Sequence, residues 1–335
     1  MTDFQTEKAL VLAHYKALTD ALPDTATAQL SKHTAPDWDW RGVDPFNEQT
    51  GVQAIADVFW TPFLTAMSRV QRRQDIFIAG LNEIDGFKSV WVVSMGHLMG
   101  LFDQSFLGIP PTGKIAMLRY AEFNCVENGK ITRTAFFCDI LHLMRQAGVY
   151  PLGPQTGAHL IQPGPATHDG LLMTAQNPQE GTETLRLINS MVGDINESHS
   201  FTTPQQELAR CWHDDMIWWG PDGIGATYTI DRYIEQHQRP FRTAISDRVF
   251  NGHICRLAEG SFGGFFGWPN LTVTPTGGYM GLPPTKRPAD MRVVDMYRRD
   301  GDKLAENWIF IDMLHYLKIQ GLDVLDRLQT LNPKR

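Results

Sequence analysis

Two aspartates stand where a strand-like run meets an apolar helical run: Asp139 in FFCDILHLMRQAG (136–148) and Asp312 in IFIDMLHYLKIQG (309–321). The residues alternating with them are Ala135 and Phe137 in one case, Trp308 and Phe310 in the other, so a carboxylate on that face is partly desolvated. Desolvation disfavours the charged form, raises the carboxyl pKa and suits the group to move protons near neutral pH. The same position is that of a helix N-cap, a role for which Asp is a leading residue type. The roles are compatible, since a cap can also line a pocket, and a helix N-terminus draws the pKa back down.

Glu122 and Asp295 supply a second carboxylate to each half of the chain. A close carboxylate pair would force its titrations apart; salt bridges to Arg119, Arg133 or Arg292 at the sheet rim are the plainer expectation. His142 and His315 lie one turn beyond the aspartates and have the intrinsic pKa for proton exchange, although a packed helix histidine donating to a carbonyl fits equally. His97, in MGHLMG, has Asn270 at the corresponding place in the second half, so only the first half offers a His/Asp combination. Trp38, Trp40, Trp218 and Trp219, with Tyr120, Phe137 and Trp308, are candidate walls for a flat ligand or ordinary core.

Other motifs fail on spacing. GSFGGFFG (260–267) has neither the Lys-Ser/Thr of a phosphate loop nor a dinucleotide fingerprint. His213-Asp214-Asp215 has ligand atoms without metal-site spacing, and no GxSxG elbow is present. The expectation is a site with neither metal nor cofactor.

The elements that must position these residues occur twice. At an offset of 173, FLGIPPTGKIAMLR (106–119) faces YMGLPPTKRPADMR (279–292), and the two aspartate segments face each other; 12 of the 41 positions from Gly108 to Gly148 are identical without a gap. Upstream the offset is 178: Trp40-Arg41-Gly42 faces Trp218-Trp219-Gly220, and PFLTA (62–66) faces PFRTA (240–244), so the first copy carries a five-residue insertion between the blocks. Such self-similarity marks a tandem array. The division read from this is a first domain over 1–150, a Pro/Gly-rich linker over 151–180 and a second domain over 181–335.

Each copy opens with helical periodicity (Leu10, Val11, His14, Tyr15, Leu18; Leu185, Leu187, Ile188, Met191, Ile195). A second helix is predicted around 24–33 and 204–213, a third over 52–67 and 230–244, and strands follow, such as 89–96. Asn128-Gly129 has the chemistry of a two-residue type I′ hairpin turn. Pairing Glu127 with Lys130 places Tyr120 opposite Phe137 and Glu122 opposite Ala135, and alternation then puts Glu122 and Asp139 on one face; Asp295 and Asp312 repeat this around Gly301-Asp302. Helices followed by an antiparallel sheet around an apolar interior make an α+β cone.

The strings FLGIPPTGK (106–114), ENGKI (127–131) and FCDILHLMRQAG (137–148) resemble the end of SnoaL-like polyketide cyclase domains, a family of the nuclear transport factor 2-like superfamily of cone folds. The resemblance is specific over about 50 residues of the first copy and collinear elsewhere. It implies ring closure by aldol chemistry without metal or cofactor, Asp139 at the acid/base position, and His97 at a histidine often found before the PPTG loop. Superfamily relatives are isomerases, dehydratases and epoxide hydrolases, and many are non-catalytic. The second copy keeps PPT and Asp312 but loses the following glycine and the histidine. Relatives commonly pair, which implies an internal pseudo-dimer and leaves room for homo-oligomers.

A net charge of −7, with lysines and arginines scattered, offers phosphates no footprint, so nucleic acid is not an expected partner. The polar N-terminus and the lack of a long apolar segment point to a cytoplasmic protein that does not engage membranes. Four well-separated cysteines read as buried apolar residues. The expected function is a cofactor-independent lyase, isomerase or cyclase acting on a small hydrophobic carbonyl compound. The alternatives are a non-catalytic binding module for a hydrophobic metabolite and a hydrolase on the same fold.

Overall fold

The computed structural model describes residues 3–331. Two compact units divide the described residues: 3–151, 168–175 and 322–331 form the first, and residues 152–167 and 176–321 the second. The stretch read as a linker is thus shared out. Around residues 168–175 the chain adds to the first unit, Leu172 N–H donating to Phe77 O at 3.0 Å and Phe77 N–H to Gly170 O at 2.8 Å. Residues 152–167 lie along the second unit, where Trp308 Nε1 donates to Pro163 O at 3.0 Å and Ala158 bridges Ala226. The Val324–Leu331 helix groups with the first unit, not with the second half as the repeat suggested.

In the first unit, strands β1 (Thr34–Gly42), β2 (Glu48–Thr50), β3 (Met67–Leu81), β4 (Val90–Phe102), β5 (Ile115–Glu127) and β6 (Lys130–Cys138) form one sheet in the order β2-β1-β6-β5-β4-β3. In the second, β7 (Trp212–Trp219), β8 (Thr227–Tyr228), β9 (Ile245–Phe250), β10 (Cys255–Glu259), β11 (Phe262–Pro275), β12 (Ala289–Asp300) and β13 (Lys303–Ile311) give β10-β11-β12-β13-β7-β8, with β9 also paired to β11. The orders match once the continuous β3 is equated with the broken β9 and β10. Both sheets are curved, and in each β1/β6 or β7/β13 is a parallel pair within an otherwise antiparallel sheet. The predicted helices form: Gln5–Thr19 and Pro178–Asn196 open the units, Ala26–Ser31 and Pro204–Ala209 follow, and the third helical segments run from Val52 to Ala66 and from Ile230 to Thr243 with a central π-turn.

The Asn128-Gly129 turn takes positive φ at both residues (51° and 71°), as type I′ geometry requires. The register expected beyond it does not hold. Glu127 pairs with Lys130 and Val126 with Ile131, but Cys125 pairs with Arg133, so Thr132 is an extra residue in a β-bulge. The second hairpin slips at the matching place, Arg299 pairing with Leu304 and Arg298 with Glu306. A one-residue slip exchanges the faces. Glu122 therefore lies opposite Phe136, and Asp139, whose N–H donates to Arg119 O at 3.0 Å, lies on the other face; Asp295 and Asp312 are separated in the same way.

The inner face of the first unit is crowded with aromatic rings. Phe136 stacks near Trp40 and Tyr120 with centroids 6.0 and 6.1 Å away, and Phe59 packs against it at 4.8 Å. Among these rings sits a polar network: Arg72 Nη1 lies 2.6 Å from Glu122 Oε2, both side chains buried, with the guanidinium over the Tyr15 and Tyr120 rings at 3.8 and 4.5 Å. Asn124 Nδ2 donates to Tyr15 OH at 2.9 Å, and the Ser94 and Tyr120 hydroxyls lie 2.8 Å apart. Trp38 Nε1 donates to Thr134 Oγ1 at 2.9 Å. Removing one partner of a buried ion pair leaves a bare charge, whereas replacing both by apolar groups is close to neutral. Arg72→Met should therefore cost about 3–5 kcal/mol in chemical denaturation, and Arg72→Met/Glu122→Leu should recover most of it. Equal losses for the single and double variants would contradict this account.

Candidate functional site

Position by position, the inner face of the second unit is less full. The registers align Tyr120 with Val293, Phe136 with Ile309 and Glu122 with Asp295. Arg72, paired to Leu98, aligns with Phe250, paired to Leu271. At the upstream offset, Phe59 and Trp60 give way to His237 and Gln238. Smaller side chains and the loss of the guanidinium leave a cavity of about 150 Å³, whose lining includes Trp218, Tyr233, His237, Phe250, Phe265 and Asp295.

Asp295 is buried, and among the described residues no cation pairs with it. Asn307 Nδ2 donates to its Oδ1 at 2.9 Å, and the nearby Tyr297 side chain also favours its charged form. Burial dominates these effects and raises its pKa to about 7. The Tyr233 phenol is pushed up by the same desolvation. His237 stacks on Trp218 with centroids 4.0 Å apart, and His253 on Phe265 at 3.8 Å. Burial, reinforced by Arg242 and Arg256 respectively, pulls both histidines down to about 3, so both imidazoles are neutral at physiological pH. The expected salt bridge of Asp295 to Arg292 does not form, because Arg292 Nη1 lies instead 3.1 Å from Asp312 Oδ2.

Asp139 and Asp312 occupy matching places outside this cavity. Each caps a helix: Asp139 Oδ1 accepts from His142 N–H at 2.9 Å, and Asp312 Oδ1 from His315 N–H at 3.2 Å. Asp139 is electrostatically coupled to Arg119, whose pKa burial pulls down to about 9. His97 Nδ1 lies 3.5 Å from Asp75 Oδ2 on the face that carries Arg119. His142 Nδ1 is 3.3 Å from Gln146 Nε2. Trp38, Trp40, Tyr120 and Glu122 belong to the crowded interior of the first unit, and Phe137 lies on the opposite face of β6 from Phe136. Trp219 borders a shallow groove with Tyr228, and Trp308 is held by Pro163. Of the residues singled out in the sequence, the structure brings Trp218 and Asp295 to the cavity. His237, Gln238, Arg248, His253 and Phe265 were missed; the legible signal was that the two copies differ at the positions of Phe59, Trp60 and Glu122.

A carboxyl whose folded pKa lies above its unfolded value holds its proton more tightly when folded. Its contribution is therefore complete below about pH 4 and is lost as the pH rises through about 7. Asp295→Asn, which stays neutral, should match the parent chain in stability near pH 4. It should exceed it at pH 8 by on the order of a few kcal/mol, read as a growing difference in Tm. A pH-independent difference would show that Asp295 is not desolvated.

Residues 206–318, which contain the cavity acid and most of the surrounding sheet, match the family model described as SnoaL-like polyketide cyclase. No curated protein matches. Among solved structures the chain is similar to a nuclear transport factor 2-like (NTF2-like) protein from Burkholderia xenovorans, 12% identical with a TM-score of 0.34, covering 42% of this chain and 97% of that one. Another NTF2-like protein, from Burkholderia thailandensis, is 22% identical with a TM-score of 0.31 over 42% and 95%. One from Anabaena variabilis is 14% identical with a TM-score of 0.30 over 38% and 89%. No helix among the described residues is long and apolar enough to cross a membrane. The second unit thus carries, over residues 206–318, a SnoaL-like domain.

Proposed function

We propose that the second unit is a SnoaL-like acid/base site in which Asp295 exchanges a proton with a small, largely apolar carbonyl compound, without a metal or cofactor. The observation that carries this reading is a buried carboxyl with no cationic partner among the described residues, raised to about 7, on the wall of a mostly apolar cavity. At that pKa both protonation states are populated at neutral pH, which is where a proton shuttle works best.

In this scheme the ionised Asp295 takes a proton from the carbon next to the carbonyl. The C–H electron pair becomes the C=C bond of an enolate, and the negative charge moves to the carbonyl oxygen. Return of the proton to another carbon gives isomerisation. Attack of the enolate carbon on a second carbonyl of the same molecule, with the proton delivered to the resulting alkoxide, gives aldol closure. In both cases the atoms balance without an oxidant or reductant. The neutral His237 and the Tyr297 hydroxyl are the nearby groups able to donate to developing charge.

The first unit is, in this reading, a second copy of the same domain whose site is filled by Arg72 and the rings around it, and which serves as scaffold. Asp139 and Asp312 then act as helix caps, as their hydrogen bonds suggest.

The test is deuterium uptake from D2O into cyclohexanone, followed by NMR. The intact chain should accelerate exchange over buffer, and Asp295→Asn should lose about 10²–10⁴-fold of that acceleration, the usual range for a general base. Asp139→Asn should keep it. Loss on Asp139→Asn with full activity in Asp295→Asn would move the base to the first unit. No acceleration by the intact chain would leave a non-catalytic binding module as the better reading.

A further inference from the structure

The cavity of the second unit limits what can enter it. A void of about 150 Å³ is the size that takes up benzene, so its occupant has about one ring. Two flat pairs, Trp218 with His237 and His253 with Phe265, make up much of its aromatic wall.

The polar atoms on the lining describe the rest of the molecule. His237 Nδ1, His253 Nδ1 and Gln238 Oε1 are buried without a hydrogen-bond partner, and all three residues are at least nine-tenths buried. Buried polar groups are almost always satisfied in a loaded site, so these three atoms are available to a molecule in the cavity. Gln238 turns its amide nitrogen towards Glu207 Oε1 at 3.5 Å. Its oxygen therefore remains as an acceptor, and an acceptor requires a hydroxyl or an N–H.

Charge gives the third constraint. Two arginines border the cavity. Arg242 is held by Glu207 through contacts of 2.6 and 2.8 Å. Arg248 donates to Ile195 O at 2.7 Å and to Ser198 Oγ at 3.4 Å, both neutral, and among the described residues no carboxylate pairs with it. It lies on β9 two residues before the half-exposed Phe250, which also lines the cavity, so this cation sits towards the rim. A guanidinium with unused donors beside another arginine is a site for a carboxylate, which it can bind through two parallel hydrogen bonds.

We propose that the second unit binds a one-ring hydroxy acid, with its carboxylate on Arg248 at the rim and its hydroxyl donating to Gln238 inside. The proposal rests on reading this cavity as the ligand site, but not on Asp295 acting as a base.

Calorimetric titration of the intact chain with 3-hydroxybenzoate, benzoate, phenol and 6-hydroxy-2-naphthoate tests it, since none of these has an enolisable C–H and binding is read apart from turnover. 3-Hydroxybenzoate should bind tightest. Loss of the carboxylate in phenol or of the hydroxyl in benzoate should each weaken binding by about tenfold or more, and the two-ring acid should bind least. Arg248→Met should remove the advantage of 3-hydroxybenzoate over phenol while phenol binding stays as it was. Gln238→Leu should remove its advantage over benzoate. Circular dichroism of each variant checks that the fold is kept, and Asp295→Asn should still bind 3-hydroxybenzoate even where it loses proton exchange. The proposal is overturned if phenol equals 3-hydroxybenzoate, if folded Arg248→Met keeps the preference, if the two-ring acid binds best, or if no probe binds.

Discussion

A carboxylate on the inner face of a curved sheet has to be neutralised, and the two halves of this chain do so differently. In the first unit Glu122 meets Arg72 at 2.6 Å, inside a cage of Tyr15, Tyr120 and Trp60 rings. Burial costs a charge several kcal/mol unless it is paired and hydrogen-bonded, and the pair, once made, occupies the space a ligand would need. In the second unit Phe250 stands at the position of Arg72, and Asp295 is left with a proton as its counter-charge. The same architectural slot thus holds an ion pair in one copy and a titratable acid beside a cavity in the other.

That contrast changes what identity between the two halves of this chain means. The residues kept in both copies include Arg119 and Arg292, Asp139 and Asp312, and His142 and His315. Their shared surroundings are structural: an aspartate caps the last helix and faces the arginine of the preceding strand. In each half that latch lies where the sheet ends and the helix begins. The cavity, by contrast, is lined by positions where the copies part, such as Phe59 against His237, Trp60 against Gln238 and Tyr120 against Val293.

The neutral histidines fit the same physics. His237 and His253 are stacked on aromatic rings and desolvated, and each has an arginine near enough to oppose its protonation. They are poor bases and good neutral hydrogen-bonding groups, so near neutral pH Asp295 is the cavity group whose charge is poised to change.

The sequence by itself determined the collinear self-similarity of the two halves, the α+β class, the order of helices and hairpins, the Asn128-Gly129 turn and the capping of the helices after β6 and β13 by Asp139 and Asp312. All of these rest on local chemistry or on collinear self-similarity, which one dimension can carry. Only the tertiary structure decided which carboxylate faces the interior. A bulge at Thr132, and its twin at Ala305, turned over the alternation on which the sequence argument relied, because side chains in a strand repeat every two residues and one extra residue reverses them. Whether that carboxylate meets a cation depended on residues far away in the chain, Arg72 against Glu122 and Phe250 against Asp295, brought together only when the outer strand pairs across the sheet.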